Sequence, residues 1–417
     1  MEYICIDLKC YYASYECVER KLDPFRTALV VADPSRGKGA ICLAVSPRMK
    51  ELGVKNRCRL FDIPKNINYI IAKPRMQKYI EMSACIYNIY LKYVSKEDIH
   101  VYSIDEVFID VTCYLKYYKK SPIEIGEMIV KDIYKNTGIT ATYGCGNNMF
   151  LAKIAMDIIA KKTKGNCAYL TTEEFKEKLW DYKPLSKFWQ IGKGIEKRLN
   201  KMGLYTLKDV ANCPEDKLYK EFGVNAYFLI NHANGLDPTT IKEIKEYMPK
   251  QKSVSNGQVL ERDYDYEECK LIIKEMVDTL VLEIVQMNLV TNVVSLTVGY
   301  SNELELPFVG GSKKLSVVTA SYKIILDEIL KIYEEKINKQ YPIRRVNISF
   351  GNLQDESKEY YDLFTDLNSI EKEKKLQDAV IDIKGKFGKS SILKGMSLEE
   401  HAMQKKRNKL IGGHNGE

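Results

Sequence analysis

The 417-residue sequence predicts a multidomain α+β fold. Three observations lead there. The length allows two to four domains, each with its own core. Residues 1–168 and 253–350 mix β-rich runs with helical spacing, whereas residues 169–241 look mainly helical. The charge is also uneven. The whole formal net charge of +8 falls within residues 1–168, and residues 34–78 carry 11 basic but only 2 acidic side chains. Such a block suits a polyanion, either a triphosphate or a nucleic-acid backbone, although a solvated basic face would look the same.

Taken in order, Tyr3–Asp7 reads as a short strand ending in a carboxylate, followed by a helix over 13–21. Ala28–Ala32 and Ile41–Val45 are strand-like, and the Gly/Pro cluster at 33–39 between them is a loop. Ile80, Ala84, Tyr87, Leu91 and Val94 recur at helical spacing over 75–94. Val101–Ile104 and Val107–Val111 flank Asp105-Glu106. A helix at Ile123–Tyr134, a strand at Ile139–Tyr143 and a helix at Phe150–Lys161 follow. Residues 242–252 read as a charged linker. Beyond it, helices at 267–287 and 317–339 alternate with strands at Val293–Tyr300 and Val346–Phe350. Residues 353–417 are polar and expected to be weakly ordered.

No run reaches the roughly 18 apolar residues of a membrane span, and MEYICIDLKCYY lacks the basic start of a signal peptide. Eleven cysteines without a C-x-x-C pair fit reduced thiols and a cytoplasmic protein better than a disulfide framework or zinc site. His100, His232, His401 and His414 have no ligand spacing, and Trp180 and Trp189 read as core residues.

Three carboxylates stand out. Asp7 interrupts an apolar strand, where an unpaired charge is costly, and Asp105 and Glu106 sit side by side between apolar runs. Crowded carboxylates need positive charge between them, and magnesium, a hard cation with oxygen ligands, supplies it. An ordinary β-turn and a strand cap would account for the same spacing.

The flanking residues extend the pattern. I-D-L-K-C-Y-Y-A-S runs from Ile6, S-I-D-E from Ser103 and N-N-M-F-L-A-K-I-A from Asn147. I-G-K-G-I runs from Ile191 and K-S-V-S-N-G-Q-V-L-E-R-D-Y from Lys252. Together they closely resemble the Y-family translesion DNA polymerases over residues 1 to about 350. The Ala44-Val45-Ser46-Pro47 run is similar to the UmuC-like branch of Gram-positive bacteria and their mobile elements rather than the DinB-like branch.

The resemblance implies a right-hand polymerase. A ferredoxin-like palm would span 1–22 and 75–168, small fingers 23–74, and a helix-hairpin-helix thumb 169–241. An α/β little finger gripping DNA would span 253–352, with a tail at 353–417. It further implies low-fidelity, two-metal-ion addition of deoxynucleotides opposite damaged bases. Asp7, Asp105 and Glu106, with the carbonyl of Leu8, would hold two Mg2+ ions, for which Mn2+ is an alternative. Tyr12 would be the steric gate against a ribose 2′-OH, with Tyr11 beside it as the next candidate. Lys161 would contact the triphosphate, with Lys162 open because of a one-residue insertion.

This chain departs from the family in the fingers, where Pro47 and Lys50, with Arg48 nearby, replace a frequent Tyr and Arg. Cys10 stands where an aromatic is frequent. Small residues at Ala40, Ala44 and Ser46 would leave room around the templating base. Ile191, Gly192, Lys193, Gly194 and Ile195 would form the phosphate-binding hairpin. Tyr360-Tyr-Asp362-Leu363-Phe364 is similar to the sliding-clamp peptide of bacterial polymerases, with Tyr360 in place of its usual Gln. Packing of Leu363 and Phe364 onto the little finger is the alternative. The expected partners are primer–template DNA, deoxynucleoside triphosphates and a clamp. A DinB-like polymerase, or a DNA-binding repair or recruitment module with an idle palm, are the competing readings.

Overall fold

The protein is described by a computed structural model covering residues 1–249 and 252–416. It divides into two compact units, Met1–Tyr247, with which Gly416 is counted, and Met248–Asn415.

The first unit contains strands β1 (Tyr3–Leu8), β2 (Leu29–Val31), β3 (Ala44–Val45), β4 (Ile70–Ala72), β5 (Ile99–Val101), β6 (Glu106–Asp110), β7 (Ala141–Gly146) and β8 (Cys167–Leu170). Five of them form one sheet in the order β5-β6-β1-β7-β8. β1 lies at its centre, antiparallel to β6 and β7, and its nearly all-apolar sequence follows from cover on both faces. Residues alternate across the strand, so Tyr143 on β7 faces Gly126 of helix Pro122–Thr137, while Gly144 faces helix Met149–Ile154 and the turn after it. A Cβ on Gly144 would lie 2.2 Å from the Met156 amide nitrogen, and one on Gly146 2.7 Å from Leu151 Cβ. These glycines let the helix rest directly on the sheet.

β3-β2-β4 make a small separate sheet around Val30, Ala32, Cys42, Val45, Met49, Val54 and Ile63. Residues 169–247 are mainly helical and pack about Phe150, Phe175, Phe188, Leu199, Leu218 and Leu229. The 242–252 linker expectation changes here. Thr240 and Glu243 form a capping box that opens helix Ile241–Glu246, and Ile241 is buried. Lys250 and Gln251 lie outside the described residues.

The second unit runs β9 (Val254–Tyr264), helix Tyr266–Gln286, β10 (Leu289–Tyr300), β11 (Val309–Thr319), helix Tyr322–Lys336 and β12 (Ile343–Gly351). Its antiparallel sheet has the order β11-β10-β12-β9. Val294, Leu296, Val298, Ile348 and Phe350 are buried with the two helices. Register places Ser312, Ser295, Ser349 and Ser255 in one row across the other face. Gly310, Thr297, Asn347 and Gly257 form the next row.

The expectation of a weakly ordered tail is corrected. A helix spans Leu367–Phe387. Its Glu373 accepts hydrogen bonds from the Ser321 hydroxyl and the Tyr322 amide, both at 2.6 Å. Further on, the buried Glu275 carboxylate accepts the amides of Met403 (2.8 Å) and Gln404 (3.1 Å). A tail side chain, Glu373, and tail backbone amides at 403–404 are thus bonded to the helices of the second unit.

Candidate active site

The site is built on the end of β1. Asp7 is directly opposite Glu106 of β6, and the Leu8 amide donates to the Asp105 carbonyl at 2.9 Å. Tyr3, Cys5 and Asp7 share the face that meets helix Met149–Ile154, as Phe108 and Glu106 do on β6. The apolar pairs behind hold the two carboxylates at the end of these inner strands. Asp105 occupies the turn between β5 and β6. Its backbone is fixed by the Tyr102 and Ser103 amides, which both donate to the Glu106 carbonyl at 3.0 Å.

The chain after Asn148 supplies the opposing charge. Its α-helix passes into a π-helical turn, Ala155–Ile159, and a 3-10 turn, Ala160–Lys162. Lys153, Asp157 and Lys161, four residues apart, form a row facing the strand carboxylates. Lys153 is 7% exposed and bonds Glu106 (2.6 Å) and Asp157 (2.9 Å). Lys161 bonds Asp7 (2.5 Å) and Asp157 (2.7 Å). Lys162 instead reaches the Tyr182 hydroxyl at 3.1 Å. Burial pushes the Asp7 and Glu106 carboxyls above their ordinary range, and the lysines partly reverse it. Burial raises Asp157 too, but Lys161 and Lys153 outweigh it and leave that carboxyl below its usual value.

Asp105 takes the Ser103 hydroxyl at 2.6 Å. With each carboxylate on a different partner, no three metal-ligating groups converge as a ready-made cage among the described residues. The donor set nevertheless suits hard cations. It is all oxygen, two of its members face each other in register, and ammonium groups now supply the positive charge it needs.

Tyr11 and Tyr12 open helix Tyr11–Glu19 after Cys10, whose φ of 49° is left-handed. Tyr11 is buried and donates to the Tyr79 carbonyl at 2.6 Å. Tyr12 is half-buried and stacks on the Tyr79 ring, centroids 4.5 Å apart. Of the two hydroxyls, that of Tyr11 is held by the Tyr79 carbonyl, whereas that of Tyr12 has no hydrogen bond among the described residues. Arg48 and Lys50 are exposed on helix Pro47–Glu51, Arg48 paired with Glu51 at 3.1 Å.

The 191–195 hairpin lies elsewhere in the unit. Gly192 caps helix Lys193–Lys201 without a side-chain bond to its first amides. Gly192, Lys193 and Gly194 are exposed, but Ile191 is buried in the helical core and Ile195 packs against it. Only the backbone and Lys193 of this motif can face a ligand. Trp189 and Trp180 are partly buried against this unit's cores, and His232 is stacked on Phe150 at 4.3 Å. In the second unit, Tyr360 bridges to Val318, while Leu363 and Phe364 are 100% and 97% exposed.

Sequence reasoning missed Lys153 and Asp157, although their four-residue spacing with Lys161 was visible. It also missed Tyr79 and Arg75, for which no local signal exists.

Comparison with known proteins matches residues 6–157 to the impB/mucB/samB family and residues 251–363 to that family's C-terminal domain. UvrX of Bacillus subtilis (strain 168), which carries the name of a UV-damage repair protein, is 33% identical, the alignment covering 99% of this chain and 97% of UvrX. DNA polymerase IV 2 of the same organism is 30% identical, covering 98% and 97%. Among solved structures, a Y-family DNA polymerase chimera of Dbh and Dpo4 superposes with a TM-score of 0.67 at 22% identity, over 85% of this chain and all of that one.

Proposed function

The chain belongs to the impB/mucB/samB family of Y-family DNA polymerases and is a DNA-directed DNA polymerase, and we propose that it extends primers opposite damaged template bases by two-metal-ion nucleotidyl transfer. The observation that carries this reading is the placement of Asp7 opposite Glu106, with Asp105 in the adjoining turn and a lysine row facing them.

Asp7, Asp105, Glu106 and the Leu8 carbonyl would hold two Mg2+ ions, or Mn2+ in their place. When bound, these ions would activate the primer 3′-hydroxyl and stabilise the leaving pyrophosphate. The protein's own groups do the rest. Lys161, whose ammonium already lies at Asp7, would meet a triphosphate over the same end of the strands. Tyr12 presents its ring beside that end and excludes a 2′-hydroxyl. Arg48 and Lys50, with the other exposed basic residues of 34–78, draw in the triphosphate and template.

Gly192–Gly194 offers free amides at a helix start to a DNA phosphate, a contact that carries no sequence information. The Ser/Thr/Asn/Gly rows of the second sheet would lie along the DNA backbone in the same way. Leu363 and Phe364 are the anchors offered to a sliding clamp.

Extension of a primer by the purified protein, across a template carrying an abasic site, tests the proposal. Tight DNA binding without extension would favour the idle recruitment module.

A further inference from the structure

We propose that sugar selection depends on three positioning residues behind Tyr12, namely Tyr79, Glu16 and Arg75. The inference rests on the reading of Tyr12 as the sugar gate.

A gate works only while its ring cannot yield. Partly exposed side chains change rotamer within nanoseconds. Tyr12 is half-buried and stands on the first turn of its helix, so the backbone alone does not hold the ring. Tyr79, on helix Met76–Tyr90, lies against it with an interplanar angle of 18° and closes that side. Tyr79 is fully buried and cannot itself meet a substrate.

Its own position is fixed at both ends. Tyr11 holds its carbonyl, and its hydroxyl donates to Glu16 Oε1 at 2.8 Å. Tyr15 packs edge-on against its ring at 5.3 Å.

Glu16 is the hub. It lies one turn beyond Tyr12 on the same helix face, and its residue exposure is 0%. Arg75 donates to both of its carboxylate oxygens at 3.0 Å, and Arg20 pairs with it as well. Tyr79 thus meets one helix at four residues, Tyr11, Tyr12, Tyr15 and Glu16. These contacts lock the register of the two helices. A buried ion pair adds little net stability, and its best-attested use is to specify one arrangement. Here the arrangement specified is the angle of the gate ring.

The test compares kcat/KM for a deoxynucleotide and the matching ribonucleotide in the parent, Tyr12→Ala, Tyr79→Leu, Tyr79→Phe and the Tyr12→Ala/Tyr79→Leu double variant. Tyr79→Leu should raise relative ribonucleotide use by on the order of ten-fold, through a lower ribonucleotide KM. Tyr79→Phe keeps the ring and the core, and should give a smaller rise in the same direction. In the Tyr12→Ala background, Tyr79→Leu should add less than about two-fold, because the ring it positions is gone. An unchanged sugar ratio in both Tyr79 variants overturns the inference, as does a Tyr79→Leu effect of equal size with and without the Tyr12 ring. No change in Tyr12→Ala itself would overturn the gate reading, and the inference with it.

Discussion

Asp7 and Glu106 are costly residues for buried strands, and the chain meets that cost with lysines spaced along one helix face. This explains why the carboxylates were legible in sequence and Lys153 was not. A charge inside an apolar strand stands out. A lysine in a helix reads as ordinary surface, and only the fold turns Lys153 inward. Glu16 was likewise unremarkable in sequence, yet it is the most completely paired carboxylate near the gate. Burial alone would raise it, but Arg75, Arg20 and Tyr79 outweigh burial and hold it below the usual carboxylate range. Its ionised form therefore stabilises the fold. That contribution is full above the unfolded carboxyl's value of about 4.3 and is lost as pH falls through the lower folded value. Urea denaturation should find Glu16→Gln destabilised by ~3 kcal/mol near neutral pH. The gap to the parent should narrow as the pH drops through the acid range, and a pH-independent gap would contradict the assignment.

At the scale of elements, the strands carrying the carboxylates and the helices around them were legible to within a few residues, although the Ile80, Ala84 and Leu91 spacing marked the exposed side of a helix that buries Tyr79, Ile86 and Ile89. β9 and β11 were not read as strands. On the face they share with the buried Val294, Leu296, Val346 and Ile348, β9 carries Asn256 and Gln258 and β11 carries Gly311 and Lys313, so the apolar half of the alternation is diluted. The helix Leu367–Phe387 escaped notice because its anchors are polar. The hairpin at Gly192 was legible as a motif, and the structure sharpens its test. Gly192 has a φ of −80°, within proline's range, so Gly192→Pro removes the amide donor with little strain. DNA binding should weaken by a similar factor on every sequence, and the slope of log affinity against log salt should fall by about 1 if one phosphate contact is lost. A loss confined to some sequences would contradict phosphate anchoring. The turn at Leu363-Phe364 carries a second element-scale prediction. Neither side chain packs on its own unit, so changing both to Ala should leave unassisted synthesis and thermal stability unchanged. Clamp-stimulated synthesis should drop to the unassisted level. Equal loss of both would place the pair in the fold.

For the whole molecule, the motifs were enough to name the family, and relatives aligned along nearly the full chain confirm membership. What the motifs did not convey is that residues 353–415 form part of the second compact unit, because the bonds joining them to it are long-range. No helix among the described residues is long and apolar enough to cross a membrane. The central claim is that Asp7, Asp105 and Glu106 run nucleotidyl transfer on this scaffold. Asp105 is the best of the three to change. It sits half-buried in a turn, and among the described residues its side chain bonds only Ser103, so its loss leaves the Lys153 and Lys161 pairs in place. The deciding measurement is primer extension by the parent and Asp105→Ala at matched DNA occupancy in magnesium. The account predicts extension by the parent, and for the variant a loss of at least about a thousand-fold with DNA affinity nearly unchanged. Substantial extension by Asp105→Ala, or none by the parent while bound to primer–template, would contradict it.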